Sequence, residues 1–152
     1  MNLIEILIKK GLTVSAAESL TGGLLQAKIV SIPNASKVFI GGVVSYTKEA
    51  KCKLLGLTME DINKHGVYSN ETSLSMAMGV KKLTNSNISI GISGVAGPGS
   101  DENVEAGTVF YTIIIGDEIY NKKILLSNCT RQEVREKTVD LILENLLNLL
   151  VY

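Results

Sequence analysis

Residues 107–127 read GTVFYTIIIGDEIYNKKILLS, and this stretch decides the fold. The β-branched and aromatic run Gly107–Ile115 and a second run, Ile119–Ser127, are separated by Gly116-Asp117, with Glu118 leading into the second. A Gly-Asp pair between two such runs predicts a hairpin turn and two strands paired side by side. Upstream the pattern changes. Leu12–Ala17, Val38–Tyr46 and Asn87–Ile92 read as short strands, with helical stretches between them. A first half that alternates helix and strand, then a hairpin, then a long helix, predicts an α/β fold. The expected architecture is a three-layer sandwich, a mixed β-sheet with helices on both faces.

The helices announce themselves by spacing and caps. Leu3, Ile6 and Leu7 recur at helical intervals, and Gly11 can close that helix. Thr21 onward reads as a helix through Leu24, Leu25 and Ile29 that ends before Pro33. Thr58-x-x-Asp61 has the form of a capping box, in which the hydroxyl accepts an orphan N–H and the carboxylate reaches back. Ser69 or Asn70 caps the next helix, whose buried face is Met76, Ala77, Val80 and Leu83. Arg131–Leu150 carries an apolar stripe at Val139, Ile142, Leu143, Leu146, Leu147 and Leu150. Gly41 and Gly42, inside a strand, mark a bulge or a close backbone approach.

Composition narrows the functions on offer. The 152 residues suit one domain, 1–152, and 15 Lys+Arg balance 15 Asp+Glu, so no basic footprint for nucleic acid is present. A 45% hydrophobic, 20% charged chain is globular in composition. No apolar run reaches a membrane span, and Met1–Lys10, with Glu5 inside it, does not read as a signal peptide. A cytoplasmic location is expected. His65 is the only histidine and has a helix-ending position, so no multi-histidine metal site is expected. Cys52 and Cys129, too few for a structural zinc, read as small buried hydrophobes. No metal or cofactor is implied. Acid-base work falls to Ser, Lys, Tyr or carboxylates.

Three polar, glycine-bearing segments follow strands, where α/β sheets keep their ligand sites: Ala17–Gly23, Ser45–Lys51 and Ser93–Gly107. In the first, Ser19 is either a nucleophile or, with Thr21, a helix cap; the N–H groups of Thr21, Gly22 and Gly23 suit an anion or an oxyanion. In the second, Lys51 precedes Cys52, Leu54 and Leu55 and can lie near the apolar side of a helix. A serine without histidine needs another base, and lysine is an accepted one if its pKa is depressed. The alternative is that Lys48, Lys51 and Lys53 are ordinary surface charges. The third segment, GISGVAGPG (91–99), is neither a Walker loop nor a dinucleotide fingerprint. Its continuation, Ser100–Ala106, is acidic and polar. Arg131 and Arg135, the only arginines, share a helix face, where either an internal carboxylate or a ligand phosphate would satisfy them.

In order, AESLTGG (17–23), SYTKEAK (45–51), GISGVAGPG (91–99), GTVF (107–110) and the R-x-x-x-R pair at 131 and 135 resemble the C-terminal domain of the CinA proteins over roughly 12–145. The resemblance implies a nicotinamide-nucleotide amidase, in a stand-alone form, with nicotinamide mononucleotide as its small-molecule substrate. It implies Ser19 as nucleophile and Tyr46 with Lys51 as the proton-handling pair. Substrate contacts then fall to Glu18, Thr21, Gly22, Gly23, Ser93, Gly94, Gly97, Gly99, Arg131 and Arg135. A homodimer is expected from the family, with no nucleic-acid or membrane partner. Two alternatives stand beside this reading. One is a nucleotide-binding regulatory module, linked to competence or DNA-damage responses, that has lost turnover. The other is a hydrolase of a different amide or ester. Two departures from the family pattern bear on substrate affinity: Val104-Glu105-Ala106 stands where Lys-Pro-Val is common, and Cys129-Thr130 where Gly-Asp is common.

Overall fold

A computed structural model describes residues 1–152. Five strands form one sheet in the order β2-β1-β3-β4-β5: β1 (Val14–Glu18), β2 (Phe39–Val44), β3 (Ile88–Gly94), β4 (Thr108–Ile115) and β5 (Glu118–Leu125). β1 pairs parallel with β2 and β3, and the hairpin β4–β5 joins antiparallel, so the sheet is mixed as expected. Ile115 faces Glu118 across the turn, with Gly116 at φ +60°. None of the helices is long and apolar enough to cross a membrane.

Helices α1 (Leu3–Lys10), α2 (Leu24–Val30) and α6 (Arg131–Val151) cover one face, whereas α3 (Lys48–Leu55), α4 (Met59–His65) and α5 (Asn70–Thr84) stack on the other. The two faces differ because strand side chains alternate. Val14, Ala16, Ile88, Ile90, Ile92, Val109, Tyr111 and Ile113 point to the α1/α2/α6 side and form most of the 23-residue core with it. The opposite positions on β1 and β3 are Ser15, Ala17, Ser89, Gly91 and Ser93, all small. Small residues let α5 lie close: a Cβ at Gly91 would stand 2.1 Å from the Ser73 carbonyl.

The edge strand β2 shows both features foreseen for its glycines. The register slips between Val14 and Ser15, and a Cβ on Gly42 would stand 2.1 Å from the Ala16 carbonyl. Caps follow sequence: Asn2, Thr47, Thr58, Ser69 and Thr130 each accept an N–H three residues on. At Thr58 only this half of the expected reciprocal box forms.

Four expectations need correction. α2 begins at Leu24 rather than Thr21, because Gly22 and Gly23 both take positive φ (+59° and +103°) and complete a turn first. Leu83 is 60% exposed, lying off the buried face of α5. Cys52 and Cys129 are only half-buried. Leu143 and Leu147 flank the core at partial burial, and Val134 and Thr138 complete the buried stripe of α6.

Candidate active site

The carboxyl ends of the three parallel strands converge. β1 runs out at Glu18 into Ser19, β2 into Ser45 and Tyr46, and β3 into Val95, Ala96 and Gly97. The connection from β1 to β2 passes through α2 on one face, while that from β2 to β3 passes through α3, α4 and α5 on the other. Such a change of side opens a crevice at the strand ends.

Ser19 does not cap α2, whose N-cap is Gly23 with no side-chain bond. Its Oγ instead meets the amine of Lys51, which donates to it at 3.0 Å and to the Ser45 carbonyl at 2.7 Å. Lys51 projects inward from the second turn of α3 and is 1% exposed; Ser19 is 5% exposed. Lys51 has no carboxylate partner. Burial pushes its pKa down from 10.5 to about 8, since desolvation penalises the ammonium. At pH 7 roughly a tenth of such an amine is the free base. The Ser–Lys pair thus has the two properties nucleophilic chemistry needs: contact, and a base that is populated near neutrality.

Ser19 lines a cavity of about 230 Å³ together with Tyr46, Tyr68, Ala96, Gly97, Asp101 and Arg131, among others. Lys51 lines an adjoining one of about 200 Å³, and Tyr46, Tyr68 and Asp101 border both. We treat them as two lobes of one cleft. Two larger depressions, beside Lys81 and beside the chain termini, lie away from these residues. The N–H groups of Ala96 and Gly97, at the wall of the Ser19 lobe, donate to no acceptor within the chain. They are unpaired donors open to a developing oxyanion.

The remaining expected site residues divide by environment. Tyr46 borders the cleft at 56% exposure, but its hydroxyl accepts from Arg131 Nη2 at 2.6 Å and bonds to neither Ser19 nor Lys51. Arg131 also donates through Nη1 to the Gly97 carbonyl at 2.6 Å, which sets its guanidinium on the rim. Gly97 lines the cleft, and Gly99 lies on the exposed loop beyond it.

Glu18 was expected as a substrate contact. It is fully buried and accepts the N–H groups of Leu25 and Gln26, so it closes the α2 N-terminus from behind. Arg135 pairs with no internal carboxylate. Nε donates to Leu20 O at 2.9 Å and Nη2 to Thr21 O at 3.1 Å, bracing the turn after Ser19. That guanidinium lies 3.3 Å from where a Gly22 Cβ would be, and Gly23 caps α2. Thr21 is fully buried. Ser93 donates to Val67 O at 2.6 Å, and the space beside Gly94 is filled by Thr108 and Val109 of β4. The open backbone donors therefore lie two to three residues later than Ser93-Gly94, because β3 stays hydrogen-bonded to β4 through Gly94.

Tyr68 and Asp101 carried no sequence motif. Only the fold brings them together, with the Tyr68 hydroxyl donating to Asp101 Oδ2 at 2.5 Å. Burial and that carboxylate push the phenol pKa upward.

A family model described as the CinA C-terminal domain matches residues 1–150. The chain belongs to the CinA family. A competence-damage inducible protein of Streptococcus pyogenes is 44% identical over 131 residues, covering 86% of this chain and 31% of that protein. The chain thus spans about a third of the length of the curated relatives it matches. Among solved structures, a competence or damage-inducible protein of Enterobacter asburiae superposes with TM-score 0.93 at 35% identity, covering 97% of this chain and 93% of that one. The competence/damage inducible protein CihA of Agrobacterium tumefaciens gives 0.91 at 32% identity, with 97% and 90% covered. At these identities the CinA fold and the mixed sheet carry over whole.

Proposed function

We propose that this CinA-family chain is a nicotinamide-nucleotide amidase, converting nicotinamide mononucleotide and water to nicotinate mononucleotide and ammonia. One observation carries the reading: the buried Lys51 amine, depressed in pKa, lies 3.0 Å from Ser19 Oγ at the wall of a cleft. The amine in its base form takes the Ser19 proton as Oγ attacks the carboxamide carbon. Charge collects on the carboxamide oxygen, within reach of the Ala96 and Gly97 N–H groups. The Lys51 ammonium, held by the Ser45 carbonyl, returns the proton to the departing nitrogen; the C–N bond breaks and ammonia leaves. Water then attacks the Ser19 ester and gives its proton to Lys51. The C–Oγ bond breaks, and Oγ recovers the proton. Arg131, the cleft's only arginine, supplies N–H donors for the substrate phosphate.

The test is mass-spectrometric detection of nicotinate mononucleotide, with wild type and Ser19→Ala side by side. Product from wild type alone is expected. A wild type that binds the nucleotide and releases no product would overturn the amidase and favour the regulatory module. Turnover confined to other amides or esters would favour the broader hydrolase.

A further inference from the structure

One carboxylate bordering the cleft, Asp101, forms no side-chain ion pair. The loop after Pro98 brings Asp101 and Glu102 to that border. Glu102 pairs with Lys48, and the chain's other side-chain ion pair joins Lys28 to Asp140. Asp101 is in neither. It is held instead by neutral contacts: Oδ2 accepts the Tyr68 phenol, and its backbone exchanges two hydrogen bonds with Val104, at 3.0 and 2.8 Å. Its position is therefore built by neutral partners, with no salt bridge to a cation.

The same three side chains, Tyr46, Tyr68 and Asp101, border both lobes, the one holding Ser19 and the one holding Lys51. Two phenol rings and a free carboxylate suit a flat cation. The ring faces attract it through their quadrupoles and the carboxylate through its charge. Arg131 supplies the opposite sign in the Ser19 lobe, so the cleft suits a molecule with a cationic ring and an anionic tail.

We infer that Asp101, framed by Tyr46 and Tyr68, selects substrates whose reacting ring is positively charged. It thereby sets a preference for the oxidised pyridinium ring over its neutral reduced counterpart. The inference rests on the amidase reading and deepens it, assigning ring-charge specificity to one carboxylate. Asp101 acts on binding and takes no part in proton transfer.

Calorimetric titration of Ser19→Ala protein with nicotinamide mononucleotide and with its reduced form tests this without turnover. The same titrations on Ser19→Ala/Asp101→Asn isolate the charge, because the amide oxygen still accepts from Tyr68. The oxidised nucleotide should bind about fivefold or more tightly than the reduced one when Asp101 is present. With Asn the two should fall within about twofold, through weaker binding of the oxidised form alone. Equal affinities in the Asp101 protein, equal weakening of both forms by Asn, or no binding of either would overturn the inference. Product formation by the unsubstituted chain, measured separately, keeps the two readings apart. Turnover without charge preference defeats only the role of Asp101, and charge preference without turnover defeats only the amidase.

Discussion

Arg131 Nη2 lies 2.6 Å from the hydroxyl of Tyr46, tying the start of α6 to the segment after β2. With Nη1 on the Gly97 carbonyl, this one guanidinium joins the segments after β2 and β3 to the start of α6 at the border of the Ser19 lobe. The phenol expected to handle protons beside Ser19 is, in this structure, the acceptor of an arginine.

Tyr46→Phe should consequently act on substrate binding. We expect KM for the mononucleotide to rise roughly three- to tenfold, the worth of one hydrogen bond to a charged group, with kcat within about threefold of wild type. Steady-state kinetics decides. A kcat loss of a hundredfold at unchanged KM would return the phenol to proton transfer.

The Lys51 amine dictates the pH profile. Its base form is the active one, so kcat/KM should climb about tenfold per pH unit below pH 8 and level off above it. A profile that is flat from pH 6 to 9 would remove Lys51 as the base.

Stability should follow the same group with a definite sign. The amine titrates near 8 when folded and near its ordinary 10.5 when unfolded. Between those values the unfolded chain binds more protons than the native one, so stability rises with pH by about 1.4 kcal/mol per unit. Below pH 8 the buried ammonium is a standing cost. Lys51→Met should abolish turnover, a loss of about 10²- to 10⁴-fold. It should also unfold at higher denaturant at pH 7, by about 1–3 kcal/mol, with the gap closing toward pH 10. Paired denaturation curves at the two pH values check this.

The close seat of α5 makes Gly91→Ala a sharp probe of the sheet. The added methyl would stand 2.1 Å from Ser73 O and 2.6 Å from Ala77 N, both backbone atoms that cannot swing aside. A destabilisation of about 3 kcal/mol or more is expected by urea unfolding. Gly11→Ala offers a contrast: its Cβ meets nothing, and only its φ of +66° opposes the change, at a cost of about 1 kcal/mol.

Much of this architecture was legible in local patterning. Hairpin, caps and apolar stripes are short-range features, and each strand lies within a few residues of its expected span. The errors come from tertiary decisions. Glu18 and Arg135 are polar residues in a functional-looking motif, yet their groups are spent on backbone donors and acceptors 7 and 115 positions away. Ser93 is likewise consumed by Val67. Tyr68 and Asp101, 33 residues apart, have no motif to announce them, because their meeting depends on how the loop after β3 folds back. Lys51 was readable in part: of the apolar neighbours on α3, Leu55 shares its buried side while Leu54 is exposed, and its depressed pKa follows from a burial that spacing alone does not establish.

The turn bearing Ser19 is fastened without using the serine hydroxyl. Glu18 holds α2 through its carboxylate and Ser45 through its carbonyl, while Arg135 grips Leu20 and Thr21. The side chain at position 19 enters none of these bonds; its one partner is the buried Lys51 amine. If Ser19 is the nucleophile, one exchange there would remove it while the bonds that hold the turn and the cleft rim remain. On the proposed amidase reading, a catalyst and a nucleotide receptor of this design would differ by a single codon, with no refolding between them.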